Sequence, residues 1–198
     1  PLHKSFAASA VAACTAEVAT ATFHNILTLR GAKVRDALHW SKTLDAVLLA
    51  YGDKTDLVFA SHHWPTFGPE NVIRLLENQR DLYRYIHDQT LRRANAGATP
   101  HEIADTLDEP AVMARDFGTR GYYGTLNHNA KAVYQAYFGW WDGVPAHLNP
   151  LAPEQEAKRY VAAMGGREDV IALGKTAFGE GDYRWAATLF NHLVFADT

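Results

Sequence analysis

The sequence predicts a mainly α protein, with a small α/β piece confined to about its first 70 residues. Three observations predict it. Apolar residues recur at helical spacing from Val72 to Leu91, between Pro69 and Gly97, as one long helix requires. Residues 153–198 divide into three helical stretches at Gly165-Gly166 and at Gly179-Glu180-Gly181-Asp182. Against these stands one short apolar run, Leu57-Val58-Phe59-Ala60, which reads as a buried strand.

The elements follow in order. Residues 1–34 are Ala/Thr-rich and weakly patterned, consistent with a strand near Val11–Glu17 and a short helix near Thr22–Leu29 that Gly31 stops. Residues 35–51 read as an amphipathic helix with Leu38, Leu44, Val47, Leu48 and Tyr51 on its apolar side and Gly52 ending it. The strand at 56–60 comes next. The long helix covers roughly 70–96, with Arg74, Glu77, Arg80, Asp81 and Arg84 on its charged side. Thr99-Pro100-His101-Glu102 then supplies an N-cap threonine, a first-turn proline and a capping-box glutamate for a short helix to about Leu107. Gly118, Gly121 and Gly124 mark 115–126 as a loop, Asn127–Phe138 is helical, and 139–153 is a second loop with three prolines. The final helix pair, with Tyr183, Ala186, Ala187 and Leu193 at packing positions, reads either as a tetratricopeptide-like hairpin or as an ordinary two-helix unit.

Composition narrows the classes. The chain has 198 residues, 47% hydrophobic and 21% charged, enough to bury a core. Net charge of −3 argues against nucleic acid and against anionic membrane surfaces. No run of about 18 apolar residues is present, so no membrane span is expected. The single cysteine, Cys14, excludes an intrachain disulfide and reads as a small buried residue. Pro1-Leu2-His3-Lys4 has no initiator methionine, and no Lys/Arg-rich segment precedes the apolar Phe6–Ala13. An internal fragment is therefore expected rather than a signal peptide, with compartment undetermined.

The densest chemistry is Ser61-His62-His63-Trp64-Pro65-Thr66-Phe67-Gly68, two histidines at the mouth of a strand. Read from the residues, this is either a structural pair or a site with one metal ligand, since no H-E-x-x-H spacing accompanies it. Upstream, Glu17 sits in an Ala-rich strand and needs a partner if buried. Arg30, before Gly31, can offer a guanidinium fork to an oxyanion, and Asn25 lies between them. The plainer reading pairs Glu17 with Arg30 and makes Asn25 a helix cap.

Several strings together resemble the alkyl/aryl-sulfatase family of the metallo-β-lactamase superfamily, the dodecylsulfate-degrading hydrolases. They are Ala16-Glu17, His24-Asn25-Ile26-Leu27-Thr28-Leu29-Arg30-Gly31-Ala32, Ala60-Ser61-His62-His63-Trp64-Pro65-Thr66, and Arg120-Gly121-Tyr122-Tyr123-Gly124-Thr125-Leu126-Asn127-His128-Asn129 running on to Gln135. Gly139-Trp140-Trp141-Asp142-Gly143 and the tail Gly181–Asp197 also fit, so the resemblance spans nearly the whole chain. It implies a C-terminal remnant of a metallo-β-lactamase-like catalytic domain over 1–75 and a helical alkyl sulfatase dimerisation domain over 76–198, without the family's C-terminal lipid-handling domain.

The resemblance also implies roles. Glu17 and His62 match metal ligands, and Asn25 and Arg30 match residues that hold the sulfate. His63 is supporting, and Tyr122, Tyr123 and His128 pack within the dimerisation signature. The family uses zinc, two ions per complete site, on fatty-alcohol sulfate esters, and the domain implies a homodimer. The family's H-x-H-x-D-H motif is not in this sequence, and Val18 stands where the family usually has a polar residue. The chain is therefore expected to contribute late metal- and sulfate-site residues and a dimerisation module, and to be inactive alone. A non-catalytic helical self-association module, with the aromatic segment 120–145 as its interface, is the alternative.

Overall fold

The computed structural model describes residues 11–197; the Ala-rich opening before Val11 lies outside them. Among these residues the order is β1 (Ala12–Ala16), α1 (Ala37–Tyr51), β2 (Leu57–Ala60), β3 (Thr66–Phe67), α2 (Pro69–Asn95), α3 (Pro100–Thr106), α4 (Leu126–Phe138), α5 (Pro153–Ala163), α6 (Arg167–Gly179) and α7 (Tyr183–Ala196). The fold is mainly α. The chain forms two compact units that divide after Gly143. The division at residues 75/76 drawn from the resemblance falls inside the unbroken α2.

In the first unit β2 pairs in parallel with β1, Ala13 opposite Val58, and antiparallel with β3, Val58 opposite Thr66. The parallel pair needs a long crossover, which contains α1. The core lies between α1, α2 and α4 and is built from Trp40, Leu44, Val72, Leu76, Leu82, Tyr83, Ile86, Ile103 and Val133. Trp40 and Tyr83 stack with ring centroids 4.3 Å apart at 13°. Such a pair adds about 0.5–1.5 kcal/mol beyond its buried area.

The helix signals have their expected effects. Glu102 N–H donates to Thr99 Oγ1, and Thr99 N–H donates to the Glu102 carboxylate, closing the capping box of α3. Asp36 and Thr125 cap α1 and α4. The buried face of α1 is centred on Ala37, Trp40, Ser41 and Leu44, whereas Tyr51 is exposed. The expected apolar side was thus rotated, because Trp40 supplies the contact that α2 accepts.

Three expectations are corrected. Segment 22–29 forms no helix. Its backbone groups bond to distant elements instead, which removes the local i to i−4 pattern a helix needs. Gly31, at φ +86°, therefore sits in a turn rather than after a helix. Strand β2 buries only Val58 well, and Phe59 points outward at 40% exposure. Cys14 is exposed, because alternation along β1 turns it to the open face of the sheet.

The second unit holds α5, α6 and α7 around Val170, Leu189 and Leu193, with Val161, Met164, Ile171 and Phe190 packed against them. Asp182 caps α7 by accepting from Trp185 N–H, and Arg167 pairs with Asp197. Among the described residues no helix is long and apolar enough to cross a membrane.

Candidate functional site

The site begins where β1 ends. The register slips between Cys14 and Ala16, and Ala16 takes φ +48°, in the left-handed region. Ser61 N–H donates to Ala16 O at 2.9 Å and holds this bulge beside the histidine loop. Glu17 follows the bulge and is turned off the strand, its side chain half exposed. Its Oε1 lies 3.4 Å from His62 Nε2, and its Oε2 lies 3.8 Å from His24 Nε2 and 3.9 Å from Arg35 Nη2.

Residues 20–30 form a strap beneath the site. His24 N–H donates to Tyr83 Oη at 3.2 Å, Ile26 N–H to Asn129 Oδ1 at 2.8 Å, and Arg35 Nη1 to Asn25 O at 2.7 Å. Arg35 also reaches Thr28 Oγ1, and its guanidinium lies 5.8 Å from the Trp40 ring centroid. The His24 ring is buried, edge-on to Tyr123 at 5.0 Å, and its Nδ1 lies 3.1 Å from Asn25 O. Burial holds its pKa below the ordinary imidazole value and the positive charge of Arg35 adds to this, while the Asn25 carbonyl and Glu17 oppose it.

Glu17, Arg30, His62 and His63 line one cleft of about 320 Å³ together with His24, Arg35 and Tyr123. His63 has φ +67°, which turns the loop at the cleft mouth. Arg30 is exposed, and its guanidinium has no hydrogen-bond or ion-pair partner among the described residues. Glu17 pairs with Arg35, His24 and His62, so its simple pairing with Arg30 does not occur. Asn25 caps no helix and does not line the cleft; its Oδ1 is buried without a hydrogen-bond partner. A larger groove of about 810 Å³ shares Glu17 and Arg35 with the cleft and is otherwise lined by Val18, His39, Trp40, Thr43 and their neighbours.

Glu17 and His62 offer the carboxylate oxygen and imidazole nitrogen that suit a zinc ion, and both are accessible. Among the described residues no group of three or more His, Cys, Asp or Glu side chains is arranged to hold a metal. The donors fit zinc in kind, as part of a ligand set. His24, Arg35 and Tyr123 are site residues that sequence reasoning missed. His24 directly precedes Asn25 and was the one accessible signal; Arg35 and Tyr123 reach the cleft only through tertiary contacts.

Residues 99–198 match the family described as alkyl sulfatase dimerisation. The chain is 51% identical over 182 residues to the alkyl/aryl-sulfatase BDS1 of Saccharomyces cerevisiae, covering 92% of this chain and 28% of the relative. It is 50% identical over 182 residues to a linear primary-alkylsulfatase of a Pseudomonas species, covering 92% and 27%. Its fold superposes on the inverting sec-alkylsulfatase Pisa1 from Pseudomonas with a TM-score of 0.90 at 46% identity, covering 94% of this chain and 30% of that one. The chain therefore spans less than a third of the length of these relatives.

Proposed function

Because the chain belongs to the alkyl sulfatase dimerisation family, we propose that it is part of a zinc-dependent alkyl sulfatase acting on sulfate esters of fatty alcohols. Residues 1–75 would be the last stretch of a metallo-β-lactamase-like catalytic domain and 76–198 the module that forms a homodimer. The observation that carries this reading is the approach of Glu17 and His62 to 3.4 Å in a cleft that Arg30 also lines.

Glu17 and His62 would hold metal, with the remaining ligands supplied from outside this chain. Zinc, when bound, lowers the pKa of a coordinated water and polarises the ester. Arg30, which has no hydrogen-bond or ion-pair partner within the described residues, is free to take sulfate oxygens through two N–H groups and to offset charge there. Asn25 would support it once its amide turns toward the anion. Arg35 restrains the Glu17 carboxylate. The neighbouring groove beside Val18 and Trp40 suits an alkyl chain, where each buried methylene contributes about 0.8 kcal/mol.

Two metals need more donors than Glu17 and His62 provide, so the chain by itself is expected to be inactive. A turnover assay with dodecyl sulfate and added zinc tests this, and clear hydrolysis by this chain would overturn it. The alternative, a non-catalytic self-association module, draws on the exposed aromatics Tyr122, Tyr137, Phe138 and Trp140. Sedimentation of the chain tests the self-association that both readings share: a folded monomer at high concentration counts against it. Zinc taken up with loss of the signal on His62→Ala favours the sulfatase reading.

A further inference from the structure

We propose that Asn129, assisted by Gly124 and His128, is a positioning residue for the cleft, so that the region matched as a dimerisation family also builds the site. The inference deepens the proposed reading of the cleft and rests on it for its functional meaning. Its geometric content stands on hydrogen bonds that cross about 100 residues of sequence.

Asn129 is fully buried near the start of α4. Its Oδ1 accepts from Ile26 N–H at 2.8 Å, and its Nδ2 donates to His24 O at 2.9 Å. One amide thus clamps the backbone on both sides of Asn25. The two bonds run in opposite directions, which fixes the amide's orientation and leaves no neutral substitute of similar size. Phe23 N–H donates to Arg120 O at 3.2 Å, and Gly124 N–H donates to Phe23 O at 2.8 Å, a reciprocal pair just before His24. His128 Nε2 lies 2.6 Å from Leu27 O; a carbonyl only accepts, so this nitrogen carries the proton. Segment 120–129 therefore bonds to residues 23, 24, 26 and 27 of the strap.

Gly124 shows how closely the two segments approach. A Cβ there would lie 2.5 Å from His24 O and 2.9 Å from Asn129 Nδ2. Backbone atoms on one side and the clamping amide on the other cannot both yield. Tyr123, the adjacent residue, stands edge-on to the His24 ring inside the cleft. The strap has no helical or strand hydrogen bonds of its own. Its shape, and with it the direction of the His24 ring toward Glu17, is held by α4 and the loop before it together with Tyr83 and Gln79 of α2 and Arg35.

The test uses the full chain with neither zinc nor sulfate, so its outcome is independent of hydrolysis. The ring resonances of His24 and the exchange of the Ile26 amide are measured by NMR in the wild type and in Asn129→Ala, Gly124→Ala and Val133→Ala. Val133 is buried on the same helix but makes no bond to the strap, so its variant reports generic loss of packing. Asn129→Ala is expected to shift the His24 ring resonances and to speed Ile26 exchange at least about tenfold relative to α2 amides. Should that variant not fold, Gly124→Ala carries the same readout from the opposite side. Wild-type His24 resonances in a folded Asn129→Ala or Gly124→Ala protein would overturn the proposal. Equal shifts in Val133→Ala would overturn it as well.

Discussion

Gln79 tests how the first unit is joined, because one buried amide on α2 ties that helix to the strap at Thr20 and Thr22 and to the turn at Gly118. It is 1% exposed, and its Nε2 approaches Thr20 O at 2.9 Å, Thr22 O at 2.9 Å and Gly118 O at 2.5 Å. Replacement by leucine keeps the volume and removes the donors. Thr20 O retains the Thr22 N–H, and Thr22 O retains the Thr20 hydroxyl, so each loses a net bond of about 0.5–1 kcal/mol. Gly118 O retains no other hydrogen-bond partner among the described residues and bears the desolvation cost of an orphaned acceptor, about 1–3 kcal/mol. The Nε2 group has two hydrogens for these three acceptors, and leucine also removes Oε1, which is buried without a hydrogen-bond partner and so offsets part of the loss. Gln79→Leu is therefore expected to cost about 1–3 kcal/mol. Urea unfolding followed by hydrogen exchange of α1 and α2 amides measures it within the first unit. Gln79→Glu adds a sign. Three carbonyls disfavour the carboxylate, so its folded pKa is raised and the native state binds the extra proton. Its stability must then fall as pH rises through the ordinary glutamate range and above. A Gln79→Leu loss under about 0.5 kcal/mol, or a Gln79→Glu variant stabilised by rising pH, would refute the reasoning.

Further outcomes follow from single contacts. Tyr137→Phe removes the 2.9 Å bond to the buried His87 Nε2, whose other nitrogen faces Asp88, and should cost about 1 kcal/mol by urea titration. Thr99→Ala opens the capping box of α3 and should cost about 1 kcal/mol, with fraying confined to Pro100–Thr106 amides. Bonds from the Thr99 backbone N–H and hydroxyl hold the Glu102 carboxyl below its ordinary value. Its contribution is present above that value and is lost as pH falls through the lowered one; a carboxyl titration by NMR reads this, and Thr99→Ala should raise the midpoint. Gly174→Ala places a Cβ 2.4 Å from the Phe190 ring, so despite better helix propensity it should destabilise the second unit by about 1–2 kcal/mol in thermal unfolding.

Punctuation made the helices legible. Pro69 and Gly97 bracket α2, Thr99 and Glu102 start α3, and the glycine breaks at 165–166 and 179–182 separate α5, α6 and α7. These are local signals acting within a few residues. The 22–29 segment misled because its composition tolerates a helix, while its carbonyls and amides are claimed by Asn129, Tyr83, Gly124 and Arg35. No periodicity records such partners. The types of Cys14 and Phe59 favour burial, because small or apolar residues usually are buried, yet strand alternation turns both outward.

The same division holds at the site. Glu17 and His62 could be singled out from the sequence because a carboxylate in an Ala-rich strand needs a partner and a histidine pair follows a strand, while their metal roles were implied only by the family resemblance. Their meeting at 3.4 Å, the turn at Ala16 that aims Glu17, and the burial that lowers the His24 pKa exist only in the folded chain. The sequence by itself determined helix limits, caps and family, since those depend on local backbone preferences and residue identity. Tertiary structure alone decided the strap and its arginine, tyrosine and asparagine partners. Hydrogen bonds between residues about 100 positions apart depend on how α2 and α4 pack, and no local pattern encodes that distance.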